Sequence, residues 1–415
     1  MAASWLRQGA AAALVLCVSL AGAEDRDLGL TGALRLNHYR SSKTFDDERD
    51  LLGATFQAKA SPALADGVDG KLSLRITDPA IGEGGAARGR LLEGFAALRG
   101  DRAELRLGRQ IVAWGRADGI NPTDNLTPRD YTVLLPFEDD QRLGTDSARL
   151  DFSATHEHTL SVFATPFFEP SRIPLPRQAS FQERRPRESL EEAQVGIRLN
   201  KAGESLDWSV SYFRGHSLLP TLRPVAPNAA GGVLTYDAIR VLGADFARNF
   251  GRYGFRGEMA YLRSEDRAGE DPFARNPQLY WVLGVDRTFL ENLNLNVQLF
   301  QRRVRAHRPA DLLSAPTERT FALQSALLSG QRDRINSGIT LRASNKWLND
   351  SLEAEIFLIR NSTRRDLFLR PLVTYAFSDH LKGTVGIEYY RGAEDTQFGS
   401  QTANKGGFVE LRYSF

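Results

Sequence analysis

Leu293-Asn294-Leu295-Asn296-Val297-Gln298-Leu299 decides the architecture. Apolar and polar residues alternate through it without a break. In an extended strand, successive side chains point to opposite faces, so this run has one greasy face and one wet face. A helix would scatter the same residues around its axis. The pattern recurs along the chain. Leu72, Leu74 and Ile76 alternate with Lys71, Ser73 and Arg75. Val195, Ile197 and Leu199 alternate with Gln194, Gly196, Arg198 and Asn200. Leu206, Trp208, Val210 and Tyr212 alternate with Asp207, Ser209 and Ser211. Leu279, Trp281, Leu283 and Val285 run beside Tyr280 and Asp286, and Leu352, Ala354, Ile356 and Leu358 beside Glu353 and Glu355.

A soluble β-sandwich also alternates, so two further features carry the choice. The runs are about 8 to 12 residues long, near the length of a tilted transmembrane strand. The connections between them also alternate. Asn249 to Gly251, Leu290 to Asn292, Gly100 to Arg102 and Ser378 to His380 are tight, whereas 113–146, 168–190, 216–234 and 304–332 are long. Short turns on one side and long loops on the other are the rhythm of an outer-membrane barrel. Tyr39, Tyr212, Tyr261, Tyr389 and Tyr390 fall near run ends and fit interfacial girdles.

Strand starts fall near residues 31, 51, 70, 90, 103, 147, 158, 192, 206, 236, 252, 277, 293, 333, 351, 366, 381 and 407. They predict an all-β, antiparallel up-and-down barrel of about 18 strands, or 16 if one hairpin merges. An even count puts both ends of the barrel on one side and every long loop on the other. No apolar segment is long enough for a transmembrane helix, and lipid admits only helices and closed barrels.

Residues 1–23 read differently. Arg7 gives positive charge, Ala10 to Leu20 is small and apolar, and Ala21-Gly22-Ala23 offers a cleavage site before Glu24. This is the pattern of a secretory signal peptide, which leaves 24–415 as a single barrel domain. Cys17, the only cysteine, lies inside this leader, behind Leu16 rather than a small residue, which argues against lipoprotein acylation. The expected mature chain therefore lacks disulfides, thiolate metal sites and cysteine nucleophiles. The 53 basic and 51 acidic residues leave a net charge of +2. So balanced a chain, with no long basic run, does not point to nucleic acid.

The final alternation is Val409, Leu411, Tyr413 and Phe415 against Glu410, Arg412 and Ser414. It resembles the closing strand of bacterial outer-membrane barrels. The resemblance implies that the barrel-assembly machinery reads Phe415 as an assembly signal.

The most distinctive segment runs from Gly108 to Asp130, dense in Gly, Pro, Asn and Asp and therefore turn-forming. By count it opens the third external loop. It resembles the porin arrangement in which that loop folds into the lumen and narrows it. It also resembles, over about 40 residues, a family of porin-like barrels related to the alginate exporter, whose substrate does not transfer. Loop 113–146 carries Asp118, Asp124, Asp130, Glu138, Asp139, Asp140 and Asp146 against Arg116, Arg129 and Arg142. With Trp114, the residues Arg116, Asp118, Asp124, Arg129, Asp130, Glu138, Asp139, Asp140 and Arg142 form the expected constriction. Rings of carboxylate favour cations, and facing bases sharpen the field. A solvated loop with internally paired charges is the plainer alternative. A calcium site at 138–140 matches no defined calcium loop.

Parity assigns Arg75, Glu104, Arg106, Arg149, Asp151, Arg198, Arg256, Glu258, Glu353 and Glu355 to the lumen wall. Lys71, Arg302, Lys382, Arg412, Asp207, Asp286, Glu388 and Glu410 join them. Nine bases against nine acids predict ion pairs that stiffen the wall, and a polar wall predicts a hydrated cargo. His156-Glu157-His158 reads as a solvated turn before a zinc site, and Arg99-Gly100-Asp101 as a tight turn. Gly82-Glu83-Gly84-Gly85 is a flexible loop without the strand–helix context of a dinucleotide site. Basic residues in 168–190 (Arg172, Arg177, Arg184, Arg185, Arg187) and 304–332 (Arg305, Arg308, Arg319, Arg332) suit lipopolysaccharide phosphates or plain solvent.

These readings point to a channel for hydrophilic solutes in the bacterial outer membrane, with no metal, cofactor or covalent chemistry. Its expected partners are outer-membrane lipid and lipopolysaccharide, the assembly machinery and the solute. Three alternatives stand beside it: a polysaccharide or lipid export component working with an inner-membrane exporter, a barrel plugged by loop 113–146, and a barrel hydrolase. The last needs an outward Ser–His pair, and His38 is the only outward strand histidine placed by parity.

Overall fold

The computed structural model describes residues 28–41, 49–79, 81, 87–133, 135, 137–175, 180–226 and 231–415. The expected leader 1–23 and the glycine-rich 82–85 lie outside the described residues.

Eighteen long strands form one closed antiparallel sheet. In chain order they are β1 (Thr31–Ser41), β2 (Asp50–Ala60), β3 (Val68–Asp78), β4 (Arg88–Arg99), β5 (Ala103–Gln110) and β6 (Thr145–Ser153). Then come β7 (His158–Thr165), β8 (Gln194–Lys201), β9 (Asp207–His216), β10 (Ala238–Phe250), β11 (Tyr253–Ser264) and β12 (Gln278–Phe289). The last six are β13 (Leu293–Val304), β14 (Ile335–Trp347), β15 (Leu352–Asn361), β16 (Leu367–Ala376), β17 (Leu381–Arg391) and β18 (Gly406–Ser414). Each pairs with the next, and β1 closes the ring against β18 in the register Leu36↔Leu411 and His38↔Val409. Closure leaves no unpaired edge, which a strand in lipid cannot tolerate.

The alternation sorts as read. Leu295, Val297 and Leu299 share one face, and Leu299 is exposed, with Leu242, Leu283, Met259 and Val409 in the same outer band. Gln298 and Asn296 are buried inside. Tyr212, Tyr261 and Tyr389 lie on the outward parity. Tyr39 and Tyr390 do not belong to a girdle: they share the inward parity of Arg35 and Glu388, Tyr39 stacking on Phe408 and Tyr390 bonding Glu388. At the turn-side rim aromatic side chains instead gather in two groups, Phe250 and Tyr253 against Phe255, and Tyr375 against Phe377, in edge-on or tilted contact.

The strand before the long 113–146 segment ends at Gln110, and β6 begins at Thr145, so Asp146 belongs to the wall and pairs with Arg109 in the ladder. Register shifts between Ser73 and Leu74 opposite Leu91–Glu93, a bulge that turns Leu92 into the interior, where it is buried.

The external loops are partly structured, which periodicity did not foretell. Phe181–Glu183, Gly232–Thr235 and Thr221–Pro224 form a small three-stranded sheet. A helix, α1 (Pro316–Ser329), packs on it, started by Pro at its first turn and stopped by Gly330 in the left-handed region. Leu222, Leu234 and Phe321 form their own apolar core with Leu175, Phe181, Phe273 and Leu328. Four loops thus share one cap.

Candidate functional site: a loop pinned across the lumen

Loop 111–144 turns inward because its apolar residues have an apolar patch of wall to bury against. Val112, Trp114 and Leu126 pack with Phe163 on β7, Phe213 on β9, Ile239 and Val241 on β10, and Ala260 and Leu262 on β11. Trp114 is buried there and acts as an anchor.

Polar contacts then fix the loop. Glu258 on β11 points inward and is 3% exposed. Its carboxylate accepts from the amides of Arg116 at 3.1 Å, Ala117 at 3.2 Å and Thr123 at 2.6 Å, and from the Thr123 hydroxyl at 2.8 Å. Three converging amides and a hydroxyl are what a buried carboxylate needs once water is gone. Gly115 permits the approach: its φ is +99°, and a Cβ there would lie 2.6 Å from Glu258 Oε2. Arg116 reaches across to Asp245 on β10 and Asn200 on β8, both at 2.6 Å. Asp118 pairs with Arg342 on β14 at 2.8 Å, and its backbone exchanges hydrogen bonds with the Gln298 amide on β13.

The far end of the loop is held by the opposite wall. Asp140 pairs with Arg35 on β1 at 2.6 Å, and its carbonyl accepts from Arg75 on β3 at 2.6 Å. Glu410 on β18 lies 3.9 Å from Arg35. The segment therefore bridges strands from β8 to β14 on one side and β1 and β3 on the other.

The expected constriction residues divide into three groups. Arg116, Asp118 and Asp140 pair with the wall. Asp124 and Arg142 pair inside the loop at 2.7 Å, with Arg129 at 3.9 Å from the same carboxylate. Asp130 is buried and accepts from the Thr132 amide, capping a turn. Asp139 is open, bonding Arg142 at 3.1 Å. Glu138 opens a short 3-10 turn, and its side chain lies outside the described residues. The acidic excess read from the loop is thus met by wall arginines: Arg35 and Arg342 take Asp140 and Asp118. Sequence reasoning missed Arg35, Asp245, Gln298 and Arg342. Parity carried along Leu34–Leu36 and Leu242–Phe246 marks Arg35 and Asp245 as inward.

The wall pairs as its charge balance implies, more often across neighbouring strands than within one. Arg256–Asp286 at 2.6 Å and Arg342–Glu355 at 2.8 Å link adjacent strands. Arg149–Asp151 lies along β6 and Arg106–Glu104 along β5. Arg198 reaches over β9 to Asp245 at 3.1 Å. Below the loop, toward the tight turns, an open cavity of about 580 Å³ is lined by Arg106, Arg149, Arg198, Glu104, Asp151 and Arg116, among others. His158 bonds Thr155 and Glu157 pairs with Lys201, so the 156–158 triplet is engaged in its own turn. His38 pairs with Asp50.

In the cap, burial pushes the Glu183 carboxyl up, but hydrogen bonds from Arg185 and Tyr236 outweigh it and hold Glu183 below the usual carboxylate range.

Residues 87–349 match the family model described as "Protein of unknown function (DUF1302)". The chain belongs to this family. The DUF1302 match runs from β4 through β14 and so contains the whole infolded loop. No curated protein matches the chain. Solved structures share its fold at low identity. Pseudomonas aeruginosa OpdK, determined with vanillate, is 10% identical, with a TM-score of 0.57 over 93% of this chain and 98% of that one. Pseudomonas aeruginosa OccD3 (OpdP) is 10% identical, with a TM-score of 0.54 over 95% and 93%. Acinetobacter baumannii OccAB4 is 9% identical, with a TM-score of 0.55 over 93% and 97%. These establish a porin-like barrel. The finer likeness of Gly108–Asp130 to the alginate exporter gains no support from them.

Proposed function

We propose that this DUF1302 protein is a porin-like channel of the bacterial outer membrane that passes hydrophilic solutes and carries out no covalent chemistry. The observation that carries this reading is the loop pinned between opposite walls, from Glu258 and Arg342 to Arg35. A barrel whose interior is polar yet crossed by a charge-paired loop is suited to a narrow hydrated path rather than to lipid passage. The constriction is formed by Arg116, Asp118, Asp139, Asp140 and Arg142 with the wall arginines that face them. Trp114, Asp124 and Asp130 hold its shape. Because acids and arginines meet there as partners, the field is transverse, and selection rests on the orientation of polar groups more than on net charge. Phe415, exposed on the outer wall beside Phe56, is the residue proposed for recognition by the assembly machinery.

Reconstitution into planar bilayers tests the reading. Stepwise conductance that grows when residues 116–142 are removed supports a constricted channel. Silence from both proteins, each shown to be inserted, supports a plugged barrel and refutes the proposal.

A further inference from the structure

On the outer wall, near the long-loop rim, arginines face one another directly across three neighbouring strands. Arg214 on β9 is in register with Arg240 on β10, and Arg240 with Arg263 on β11. Arg303 on β13 continues the row beyond Leu279, which itself faces Tyr261. Arg305, two residues on, reaches the Tyr261 hydroxyl at 3.5 Å. All four strand arginines share the outward parity of the exposed residues Val210, Leu242, Met259 and Leu299, so they lie on the lipid side, one step loopward of Tyr212, Leu242, Tyr261 and Gln301.

Like charges set directly opposite on one face of a sheet repel. None of Arg214, Arg240, Arg263 or Arg303 forms an ion pair or side-chain hydrogen bond among the described residues. The contrast with the loops is direct. Arg185 is taken by Glu183, Arg332 by Asp311 and Asp395, and Arg319 by the Leu313 carbonyl. The protein thus supplies its own partners to these three loop arginines and leaves the rim row to something outside itself. Just above an apolar band and beside two tyrosines, the row stands at headgroup depth. Guanidinium groups there match phosphate oxygens in charge and in bidentate geometry.

We infer that Arg214, Arg240, Arg263, Arg303 and Arg305 form a binding site for lipid-borne phosphate in the leaflet on the long-loop side, and that a phosphorylated glycolipid spanning several arginines is its occupant. A headgroup with two phosphates bridges more of the row than a single-phosphate lipid does. The inference rests on the membrane-spanning reading above and adds to it a partner and a place.

The test uses the full barrel in phosphatidylcholine nanodiscs doped with diphosphoryl lipid A, with its dephosphorylated form, or with phosphatidylglycerol. Lipid retained by the repurified barrel is counted by mass spectrometry. The wild type is expected to retain diphosphoryl lipid A at least fivefold over the dephosphorylated form and above phosphatidylglycerol. R214Q/R240Q/R263Q should lose most of that preference, while R248Q/R287Q, at the opposite rim, should keep it. Equal retention of both lipid A forms, or an unchanged triple variant, overturns the inference. So does complete displacement by millimolar inorganic phosphate, which would mark a free-anion site. Insertion into the nanodisc and heat-modifiable gel migration report separately on the barrel, so failure to span the membrane is distinguishable from failure to bind.

Discussion

Replacing Glu258 with Ala should release the infolded loop while leaving the barrel standing. The carboxylate accepts four hydrogen bonds from Arg116, Ala117 and Thr123. A hydrogen bond to a charged group contributes about 1.5–3 kcal/mol net, so the four sum to roughly 6–12 kcal/mol if additive. They are not additive, and water entering the space of the lost side chain recovers part. A net cost of about 3–5 kcal/mol, typical of removing one partner from a buried charged cluster, is the better figure. At tenfold per 1.4 kcal/mol, that raises the undocked population by roughly 10² to 10³·⁵. The ladders of β11 with β10 and β12 involve backbone only and persist. The expected result is a barrel with unchanged heat-modifiable migration, noisier and larger single-channel conductance, and new protease cuts within 111–144. Glu258→Gln keeps the shape but turns an amide NH₂ toward some of the donors, and should fall between. A variant whose conductance and protease protection match the wild type would show that the Glu258 cradle does not hold the loop.

On the other wall, Arg35→Ala leaves Asp140 and Glu410 uncompensated. It should loosen the far end of the loop by about 3–5 kcal/mol, seen as faster amide exchange at 137–142. In the cap, the Ser325 hydroxyl donates to the Leu222 carbonyl and accepts from its amide. Ser325→Val should therefore cost about 2–3 kcal/mol and expose 305–334 to proteolysis with the barrel intact. At the seam, a Cβ on Gly32 would meet the Phe415 ring at 2.3 Å. Gly32→Val should lower the yield of closed barrel in refolding into detergent, and normal yield would contradict that packing. Glu183 titrates below its unfolded value, so its contribution is present above about pH 4.5 and is lost as pH falls through the lower, folded value. Amide exchange at 181–185 should quicken only at the acid end of a pH 3–7 series.

The sequence alone determined the wall. A period of two carries inside and outside with it, so Leu299 and Gln298 went to opposite faces with no tertiary information. Turn lengths gave the alternation of sides, and together they gave eighteen strands. It also marked 113–146 as the unusual loop, because no strand or helix pattern survives its glycines and prolines. Tertiary structure decided which charges meet. Arg35 and Asp140, or Asp118 and Arg342, are far apart in the chain, and no periodicity relates a loop residue to the wall it reaches. Parity placed Glu258 inward but could not show that loop amides converge on it. The cap helix Pro316–Ser329 was equally hidden, since its apolar residues bury against strands from other loops. Local pattern fixes a barrel because every strand meets the same two solvents, lipid and water. The loop across the lumen meets neither alone, and its course depends on the particular side chains waiting on the far wall.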